Sequence, residues 1–436
     1  MILGVIADDH TGATDVASML VRSGLRTVQI IGVPQPSTEA VDLDAIDAVV
    51  IALKSRTIDP AEAIDQSLSA LRWLQQHGVQ RFYFKYCSTF DSTARGNIGP
   101  VAEALMHTLG THYTIACPAF PENQRTIFNG HLFVGNQLLS DSGMRNHPLT
   151  PMTDANLLRV LQPQTQCVVG LLNHVQIAEG AAALRAVVGQ RLDEATRVQR
   201  GIIDIADAIT NEDLMVLGEA LADLPLVTAG SGLALGLAAA YIRRGLVKAD
   251  AHAAQLPDAG GKAVVISGSC SVATNGQVKY WLAAGKPALR IDPRDIAAGQ
   301  PVAARALDWH AQQKETCLIY ATSLPEEVAL LQKEFGAQSL GEQIEQCFAD
   351  IAQGLIAQQV RRFVVAGGET SGAVVNGLGV QLLKIGETID PGVPWTSGQV
   401  GPPLLALSAP VLLALKSGNF GTEDFFAKAL AITERH

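Results

Sequence analysis

The chain has 436 residues, more than one hydrophobic core usually serves, and this length predicts two domains. Apolar residues make up 48% of it and charged residues 17%, a composition that excludes an intrinsically disordered protein. The formal net charge of −10 and the aromatic content of 5% argue against a nucleic-acid partner and against a surface on which bases stack.

Cysteine usage and hydropathy indicate a protein of a reducing compartment. The six cysteines are scattered, without a Cys-x-x-Cys pair or a cysteine–histidine cluster at zinc spacing. We therefore expect reduced, mostly buried thiols in a cytoplasmic protein. The chain reaches Asp8 too soon to hold a secretory signal, and no apolar run reaches the roughly 18 residues of a membrane span, which predicts no membrane partner.

Three acidic residues follow the first predicted strand. Residues 2–7 form an apolar run typical of a buried strand, and an amphipathic segment after them predicts a helix. Asp8, Asp9 and Asp15 therefore lie near the carboxyl end of a strand, where open α/β sheets bind ligands. A single aspartate there could be a helix cap. Three favour a functional role, because adjacent carboxylates cost stability unless something uses them.

The rest of the first half alternates between strand and helix patterns. Apolar spacing predicts a helix over residues 61–76, which Gly78 ends, and an alanine-rich helix after Gly230. Residues 118–151 are rich in turn-forming residues and predict loops. The further predicted strands are residues 27–31, 48–53, 81–86, 113–117, 168–172, 201–204 and 226–229.

The second half repeats this alternation after a probable change of domain. Residues 246–261 are rich in Ala, Asp and Gly and predict a linker between domains at 1–245 and 262–436. Strands alternating with helices imply parallel sheets. The predicted fold class is therefore α/β, with two α/β domains built on mainly parallel sheets. The strands predicted in the second domain are residues 263–266, 288–291, 316–321, 361–366 and 411–415.

Charged and hydroxyl side chains follow several predicted strands of the first domain. Arg56 follows the strand that ends at residue 53, and Lys85 lies at the end of an aromatic strand. In a parallel sheet these cations share one edge with the three acids. Cations that hold a carboxylate, beside an aspartate that accepts a hydroxyl proton, suit a small hydroxy acid. A capped turn before a helix is the alternative for the run after Lys85, which includes Ser88, Thr89 and Asp91.

Three glycine-rich turns stand out in the second domain, each between an apolar strand and a predicted helix. Glycine lets the backbone approach a ligand closely, and free N–H groups at the start of a helix bind anions. One such turn is weak evidence, since α/β proteins need tight turns anyway, but three with hydroxyl residues favour a phosphate-bearing nucleotide. The candidates are Ser267 and Ser269 in the first turn, Gly367, Gly368, Glu369, Thr370 and Ser371 in the second, and Gly418 and Gly421 in the third.

Several better-known signatures are absent. The chain lacks Gly-x-x-x-x-Gly-Lys-Ser/Thr and is not an ordinary P-loop protein. Residues 230–236 have the spacing Gly-x-Gly-x-x-x-Gly, which misses the dinucleotide motif and indicates a strand–helix turn. Neither Gly-x-Ser-x-Gly nor His-Glu-x-x-His occurs, which argues against hydrolases and zinc peptidases. His10 and His131 fit structural positions better than the role of a catalytic base.

Short strings along the chain resemble the four-carbon acid sugar kinase family. They are, in order, IADDHTGATD, KYCSTFDST, SGSCS, AGGETSGAV, PGVPW and LKSGNFG. More narrowly, ALKSR, FKYCSTFDSTARGNIGP, GHLFVG and SGMRNHPLTPMTD are similar to the members that phosphorylate 3-oxo-tetronate. The resemblance runs essentially from end to end. His10 departs from it, at a position where a Phe is expected.

The resemblance implies an N-terminal substrate domain and a C-terminal nucleotide domain, with the active site in an interdomain cleft. It implies ATP-dependent phosphorylation of the 4-hydroxyl of 3-oxo-tetronate, with the glycine turns holding ATP and with Mg²⁺ on its phosphates. On this reading Asp8 or Asp9 orients the hydroxyl and accepts its proton. The groups expected to bind the substrate are Asp15, Arg56, Lys85, Ser88, Thr89 and Asp91.

Two alternatives stay open at this point. One is a kinase for a related acid without the keto group, threonate or erythronate. The other is a non-catalytic sensor that binds nucleotide and sugar acid, against which the three carboxylates argue, because simple binding of an anion would not place them beside it. An acidic enzyme of this size is often dimeric, so a homodimer is the expected assembly.

Overall fold

The computed structural model describes residues 1–34, 43, 45–147, 149–323, 327, 330, 333–334, 337–401 and 410–433. Pro148, which belongs to one of the strings that carry the family resemblance, lies outside the described residues. The chain divides into two compact units, Met1–Ala254 and Gln255–His436. The boundary falls within the stretch from 246 to 261 whose composition predicts a linker.

The first unit alternates strands and helices along most of its length. Its strands are β1 (Leu3–Ala7), β2 (Thr27–Ile31), β3 (Ala48–Ala52), β4 (Phe82–Lys85), β5 (Tyr113–Cys117), β6 (Arg125–Phe128), β7 (His131–Val134), β8 (Gln137–Leu138), β9 (Val168–Leu172), β10 (Ile202–Ala206) and β11 (Leu226–Ala229). Its helices are α1 (His10–Arg22), α2 (Pro60–Gln76), α3 (Ile98–Leu109), α4 (Leu157–Leu161), α5 (His174–Ala178), α6 (Ala181–Val198), α7 (Asn211–Leu221) and α8 (Leu233–Arg243).

The main sheet of this unit is parallel throughout, in the order β2-β3-β1-β4-β11-β5-β10-β9. All five residues of β1 are buried, as are those of β3, which fits strands covered by helices on both faces. The strands β3, β1 and β4 are neighbours, and Ala7 pairs with Ala52 on one side and with Lys85 on the other. The carboxyl ends of these three strands therefore lie side by side at one edge of the sheet.

The expectation of loops over residues 118–151 is wrong for part of that region, because β6, β7 and β8 form a small antiparallel sheet. The β6–β7 hairpin turns through Asn129 and Gly130, whose φ angles are 47° and 71°. Two successive positive φ angles are typical of the tight hairpin turn that Asn-Gly favours. The sequence therefore contained the signal for this hairpin within a segment whose other residues favour loops.

The second unit also alternates strands and helices. Its strands are β12 (Lys262–Ser267), β13 (Ala288–Arg290), β14 (Cys317–Tyr320), β15 (Val360–Ala366), β16 (Leu382–Asp390), β17 (Val393–Gln399) and β18 (Pro410–Lys416). Its helices are α9 (Val272–Ala283), α10 (Pro293–Ala297), α11 (Val302–Ala311), α12 (Ala337–Ala357), α13 (Gly368–Gly377) and α14 (Phe425–Thr433).

This sheet has the order β13-β14-β12-β15-β18-β17-β16. The first five strands are parallel, whereas β17 and β16 are antiparallel to their neighbours and form a hairpin that turns at Gly392 with a φ of 79°. The α/β expectation with mainly parallel sheets is thereby confirmed. The hairpin is an addition that the sequence reading did not predict. The hydrophobic core of this unit contains large side chains, which include Trp281, Trp395 and Phe426.

Two further features concern the whole of the described chain. All six cysteines are free thiols. Among the described residues, no helix combines the length and the apolar character that crossing a membrane requires.

Candidate active site

One edge of the sheet in the first unit gathers the charged residues that the sequence places at strand ends. Asp8 and Asp9 follow β1, Arg56 follows β3, and Lys85 ends β4. Asp91 reaches the same cluster from the turn after β4, with its Oδ2 3.7 Å from Nη1 of Arg56. These groups come from distant parts of the chain and meet because parallel neighbours end at the same level.

Arg56 is the centre of this cluster. Its Nε and Nη2 donate to the two carboxylate oxygens of Asp8 at 2.9 and 2.8 Å, and Nη2 also donates to Oδ1 of Asp9 at 2.5 Å. Two parallel bonds to one carboxylate fix the plane of a guanidinium group. Among the described residues, no group accepts a hydrogen bond from Nη1 of Arg56. This nitrogen can therefore donate to a ligand.

Asp9 is both a helix cap and a member of the cluster. Its Oδ2 accepts from the amide of Gly12 at 3.1 Å and from the hydroxyl of Thr11 at 2.8 Å, which caps α1. Its Oδ1 faces Arg56 and also accepts from Nζ of Lys85 at 3.3 Å. The structural role that a lone aspartate would have is therefore present here. It does not exclude a functional one, because the two roles use different oxygens.

Glycine at position 12 makes room for this arrangement. A Cβ on Gly12 would overlap the ammonium group of Lys85 and the carboxylate of Asp9. Any side chain larger than hydrogen would have to displace one of these two charged groups. Glycine at position 12 therefore lets the charged cluster keep this geometry.

Burial and charge pull the pKa values of the two adjacent acids apart. Burial disfavours the charged form of Asp9, but Arg56 and Lys85 outweigh it and hold the pKa of this carboxyl well below its ordinary value. Burial raises the pKa of Asp8, and the charge of Arg56 acts against this rise. Burial also lowers the pKa of Lys85, but the nearby charges of Asp9 and Asp8 more than reverse this. Asp9 is thus held as an anion and Lys85 as a cation.

The turn that carries Asp91 has an unusual backbone. Phe90 and Asp91 adopt φ angles of 65° and 27°, a left-handed region that residues other than glycine rarely occupy. The Phe90 ring packs edge-on against Tyr86 with centroids 5.5 Å apart, and Oδ1 of Asp91 accepts from the Thr89 hydroxyl at 2.6 Å. Strain of this kind persists where surrounding contacts enforce it and is frequent at functional sites. Ser88 lies half-buried in the same turn, without a hydrogen bond to this cluster among the described contacts.

Asp15 lies in the second turn of α1 and is also buried. Its Oδ1 has no hydrogen-bond partner among the described residues. Burial raises the pKa of Asp15, while the charge of Lys85 and a hydrogen bond with Ser231 oppose the rise. A buried carboxyl oxygen without a partner is costly in a finished interior, which is consistent with a group that awaits a ligand.

Sequence reasoning missed Asn97, which precedes α3 and supports the segment around Arg56. Its Nδ2 donates to the carbonyls of Ser55 and Ile58 at 2.7 and 3.0 Å. Its Oδ1 and the hydroxyl of Ser92 are buried without partners among the described residues, and both residues line a small cavity next to Arg56. An asparagine before a helix indicates a cap at the sequence level, so nothing local pointed to this supporting role.

The three glycine-rich turns of the second unit meet in space, because β12, β15 and β18 are neighbours in the sheet. A Cβ on Gly268 would overlap the hydroxyl of Thr370. A Cβ on Gly367 would lie 3.1 Å from the amide nitrogen of Ser269, and one on Gly418 would lie 2.5 Å from the Ser269 hydroxyl. The turns that the sequence predicts as a nucleotide site are therefore in close contact with one another.

The first turn separates its two candidate serines. Ser267 is fully buried, and its hydroxyl pairs with that of Thr322 at 2.6 Å. Ser269 is only partly buried, so of the two it is the one that a ligand can reach. Ser271, which was not predicted, caps α9 by accepting from the amide of Thr274 and donates to the carbonyl oxygen of Gly418 at 2.5 Å. This last bond joins the first turn to the third.

The second turn requires glycine at one position and leaves space at the next. Gly367 has a φ of 124°, which L-amino acids rarely adopt. Gly368 and Glu369 are exposed and open α13, and no atom lies within 4 Å of the position that a Cβ on Gly368 would occupy. Thr370 and Ser371 are buried behind them, and the Ser371 hydroxyl has no partner among the described residues.

The third turn is held from inside the unit. Gly421 has a φ of 83°, and its carbonyl accepts from Nε2 of Gln277 at 3.1 Å. At the other end of the turn, the amine of Lys416 donates to the carbonyl of Gly418 at 2.9 Å. Gln277 was missed, since a polar residue inside a helix pattern gave no specific signal. Lys416 belongs to the string LKSGNFG, but no role of its own was predicted for it.

Comparison with protein families divides the chain in the same way. Residues 3–237 match a family model described as a sugar-binding N-terminal domain. Residues 264–426 match one described as a nucleotide-binding C-terminal domain. The charged cluster lies within the first match, and the three glycine turns lie within the second.

Curated relatives resemble the chain over nearly all of its length. A 3-oxo-tetronate kinase from Pseudomonas savastanoi pv. phaseolicola is 57% identical over 429 residues, which cover 98% of this chain and 96% of the relative. One from Cupriavidus necator is 55% identical over 98% of this chain and 96% of the relative. One from Salmonella typhimurium is 45% identical and covers 98% of both chains.

Solved structures share the fold along the whole chain. A Salmonella typhimurium LT2 protein, described as a candidate tRNA synthase, superposes with a TM-score of 0.83 at 43% identity and covers 98% of both chains. A Haemophilus influenzae protein superposes with a TM-score of 0.78 at 43% identity, covering 99% of this chain and all of that one.

Proposed function

The chain belongs to the four-carbon acid sugar kinase family and is a 3-oxo-tetronate kinase, and we propose that it transfers the γ-phosphate of ATP to the 4-hydroxyl of 3-oxo-tetronate. In this proposal the domain predicted at residues 1–245, within the first unit, holds the sugar acid. The domain predicted at residues 262–436, within the second unit, holds ATP. The observation that carries the proposal is the position of Asp9. This anion caps α1 with one carboxylate oxygen, and its other oxygen faces Arg56 and Lys85.

Asp9 is the proposed group that orients the hydroxyl and accepts its proton. The side chain of Asp9 is 24% exposed against 6% for Asp8, so Asp9 is the more accessible of the two. Its low pKa keeps the carboxylate ionised, so that it can accept a hydrogen bond from the hydroxyl and orient it. Asp8, with both oxygens bound to Arg56, is the proposed positioning residue for that guanidinium.

Arg56 and Lys85 are the proposed ligands of the carboxylate and keto oxygens of the substrate. Nη1 of Arg56 and the remaining N–H groups of Lys85 are the donors that the cluster leaves for this purpose. We also propose hydrogen bonds between the substrate hydroxyls and Asp15, Thr89 and Asp91. Ser88, in the same turn as Thr89, is a further proposed substrate-binding residue. Buried donors that would be unpaired without the substrate give strong discrimination against analogues that lack its polar groups.

The glycine turns are the proposed phosphate site. Ser269, the exposed backbone at Gly368 and Glu369, and the turn at Gly418 supply hydroxyl and N–H donors that approach one another closely. Phosphoryl transfer depends mainly on positioning and on stabilising charge, and rigid backbone donors provide both. The other predicted residues of this site are proposed to hold the turns in place: Ser267, Gly367, Thr370, Ser371 and Gly421.

Mg²⁺ is the proposed companion of ATP. The described residues contain no group of three His, Cys, Asp or Glu side chains that could hold an ion by themselves. Proteins usually bind Mg²⁺ through one or two carboxylates together with substrate phosphates and water, so the proposal requires no such group. When bound, the ion neutralises charge on the phosphates.

A coupled assay of ADP release tests the proposal against its alternatives. Purified protein is supplied with ATP, Mg²⁺ and, in turn, 3-oxo-tetronate, threonate and erythronate, and the phosphorylated product is located by phosphorus–proton NMR. The proposal expects turnover with 3-oxo-tetronate and the phosphate on the terminal carbon. Faster turnover with threonate or erythronate would favour a kinase for those acids, and ATP binding without ADP release would indicate a sensor.

Three broader expectations accompany this proposal. The net charge of −10 disfavours a nucleic-acid partner, which a filter-binding titration with tRNA at low salt would test. Six free thiols are consistent with the reducing cytoplasm, which fractionation would test. A homodimer is expected from size and composition, and light scattering measures it directly.

A further inference from the structure

Lys416 is a fully buried lysine at the end of β18. Its ammonium group donates to the Thr274 hydroxyl at 2.9 Å and to the carbonyls of Ser417 and Gly418 at 3.0 and 2.9 Å. All three of its N–H donors are thereby used. The partners belong to α9 and to the third glycine turn, so Lys416 links two elements of the proposed phosphate site.

Burying this amine is costly. Among the described residues, no carboxylate forms an ion pair with Lys416. Burial alone lowers the pKa of Lys416 to about 7, because the charged form has left water without gaining a counter-charge. An apolar residue of similar length would avoid this cost. The presence of a lysine therefore calls for a reason other than the stability of the free protein.

The geometry of the peptide bonds supplies such a reason. In a trans peptide the C=O group points opposite to the N–H group of the following residue. Lys416 holds the carbonyls of Ser417 and Gly418, so the N–H groups of Gly418 and Asn419 point away from the buried amine. Gly418 is partly exposed and Asn419 is exposed, and neither N–H group has an acceptor among the described residues, which leaves both available to a ligand. Successive N–H groups with a common direction form an anion-binding concavity.

The carbonyl of Gly418 is held with particular firmness. It accepts from Ser271 at 2.5 Å, from Thr274 at 2.9 Å and from Lys416 at 2.9 Å. A carbonyl oxygen offers two lone pairs, so three donors fix its direction closely. The direction of the Asn419 N–H group is fixed with it.

We infer that Lys416 is a positioning residue for nucleotide binding, which turns the N–H groups of Gly418 and Asn419 towards a phosphate group of the nucleotide. The inference rests on the proposed function of the glycine turns as the ATP site. It adds that Asn419 contributes its backbone N–H to the phosphate, and that the buried ammonium places this donor without touching the ligand.

The test replaces Lys416 by Met, which keeps the length and the apolar stem but has no donor, and by Gln, which keeps a neutral donor. Lys384→Met is the matched control, since Lys384 is exposed in the same unit. Calorimetry gives the Kd for ATP, steady-state kinetics give KM for ATP and for the sugar acid separately, and thermal unfolding reports the fold. Selective labelling with ¹⁵N-glycine and ¹⁵N-asparagine follows the amides of Gly418 and Asn419 by NMR.

We expect Lys416→Met to raise the Kd and the KM for ATP by roughly tenfold or more, with the KM for the sugar acid unchanged. Lys416→Gln should recover part of the loss, and Lys384→Met should bind ATP as the wild type does. The amides of Gly418 and Asn419 should shift on ATP addition in the wild type and much less in Lys416→Met. A folded Lys416→Met protein that binds ATP normally would overturn the inference.

Two outcomes separate this inference from the proposed function. If the wild type itself fails to bind ATP, the proposed nucleotide site is wrong. If the wild type binds ATP and the Lys416 variants bind it equally well, the inference alone fails. Should Lys416→Met not fold, Thr274→Val removes one partner of the ammonium group and one donor to Gly418. A folded Thr274→Val protein with wild-type ATP affinity, in which ATP shifts the amides of Gly418 and Asn419 as much as in the wild type, would equally overturn the inference.

Discussion

Substitution of Gly368 separates the needs of the fold from those of nucleotide binding. No atom lies within 4 Å of the position that a Cβ on this residue would occupy, and its φ lies outside the left-handed region. Alanine in a helix is favoured over glycine by up to about 1 kcal/mol. We therefore expect Gly368→Ala to be at least as stable as the wild type, with a Tm unchanged or raised by about 2–4 °C.

ATP binding should respond in the opposite direction. If a phosphate oxygen occupies the open space at the start of α13, a methyl group there prevents its close approach to the backbone N–H groups. Loss of one hydrogen bond to a charged group costs about 1.5–3 kcal/mol. This corresponds to roughly a 10- to 100-fold rise in the Kd for ATP, and Gly368→Leu should show a larger rise.

Two other glycines serve as controls. Gly189 lies inside α6 and its Cβ position is also open, so Gly189→Ala should gain stability and leave ATP binding unchanged. Gly367 has a φ of 124°, and a Cβ there would lie 2.9 Å from the Thr370 hydroxyl, so Gly367→Ala should lose stability. The Kd is measured by titration calorimetry and the Tm by scanning calorimetry. A stable Gly368→Ala protein with a Kd within twofold of the wild type would refute the assignment of the second turn to phosphate.

The remaining predictions concern the charged cluster, the metal and pH. Asp9→Asn should lower kcat by roughly 100-fold or more at unchanged ATP affinity. An unchanged kcat would refute the proposal that Asp9 accepts the proton of the hydroxyl. Asp8→Asn should mainly raise the KM for the sugar acid. Gly12→Ala should destabilise the protein by about 1–3 kcal/mol, because the methyl group displaces Lys85 or Asp9; an unchanged urea midpoint would contradict this. EDTA should abolish turnover and added Mg²⁺ restore it, whereas turnover that persists in EDTA argues against the ion. The pKa of Lys416 is about 7 in the folded chain against 10.5 as its ordinary value. Between pH 7 and 10.5 the unfolded chain binds one more proton at this lysine than the folded chain does, so the free energy of unfolding rises with pH. From pH 7 to pH 9 the urea midpoint should therefore increase more in the wild type than in Lys416→Met. Equal increases would exclude this effect.

Local patterns in the sequence were sufficient for the fold class and for much of the site. The apolar run before Asp8 and the helical spacing after it predict the β1–α1 unit that the structure contains. Alternation of strands and helices predicts parallel sheets, and the parallel order of β3, β1 and β4 then places Arg56 and Lys85 beside the acids. The roles of these residues in catalysis and binding stay predictions.

Other features needed the tertiary structure. The β16–β17 hairpin joins an otherwise parallel sheet, and its strands could not be distinguished from loops by periodicity alone. The supporting role of Asn97 depends on carbonyls about forty positions earlier in the chain, at Ser55 and Ile58. Hydrogen bonds over such separations leave no trace in local composition.

The division between the two levels has a physical cause. The sequence by itself determined which side chains stand at the ends of strands, because strand and helix periods and turn residues are properties of neighbouring positions. Only the tertiary structure decided that Asp8 binds Arg56 through both oxygens while Asp9 is shared among Arg56, Lys85 and the α1 cap. The same holds for the buried Lys416, because burial and the direction of a hydrogen bond are set by residues that are close in space and distant in the chain.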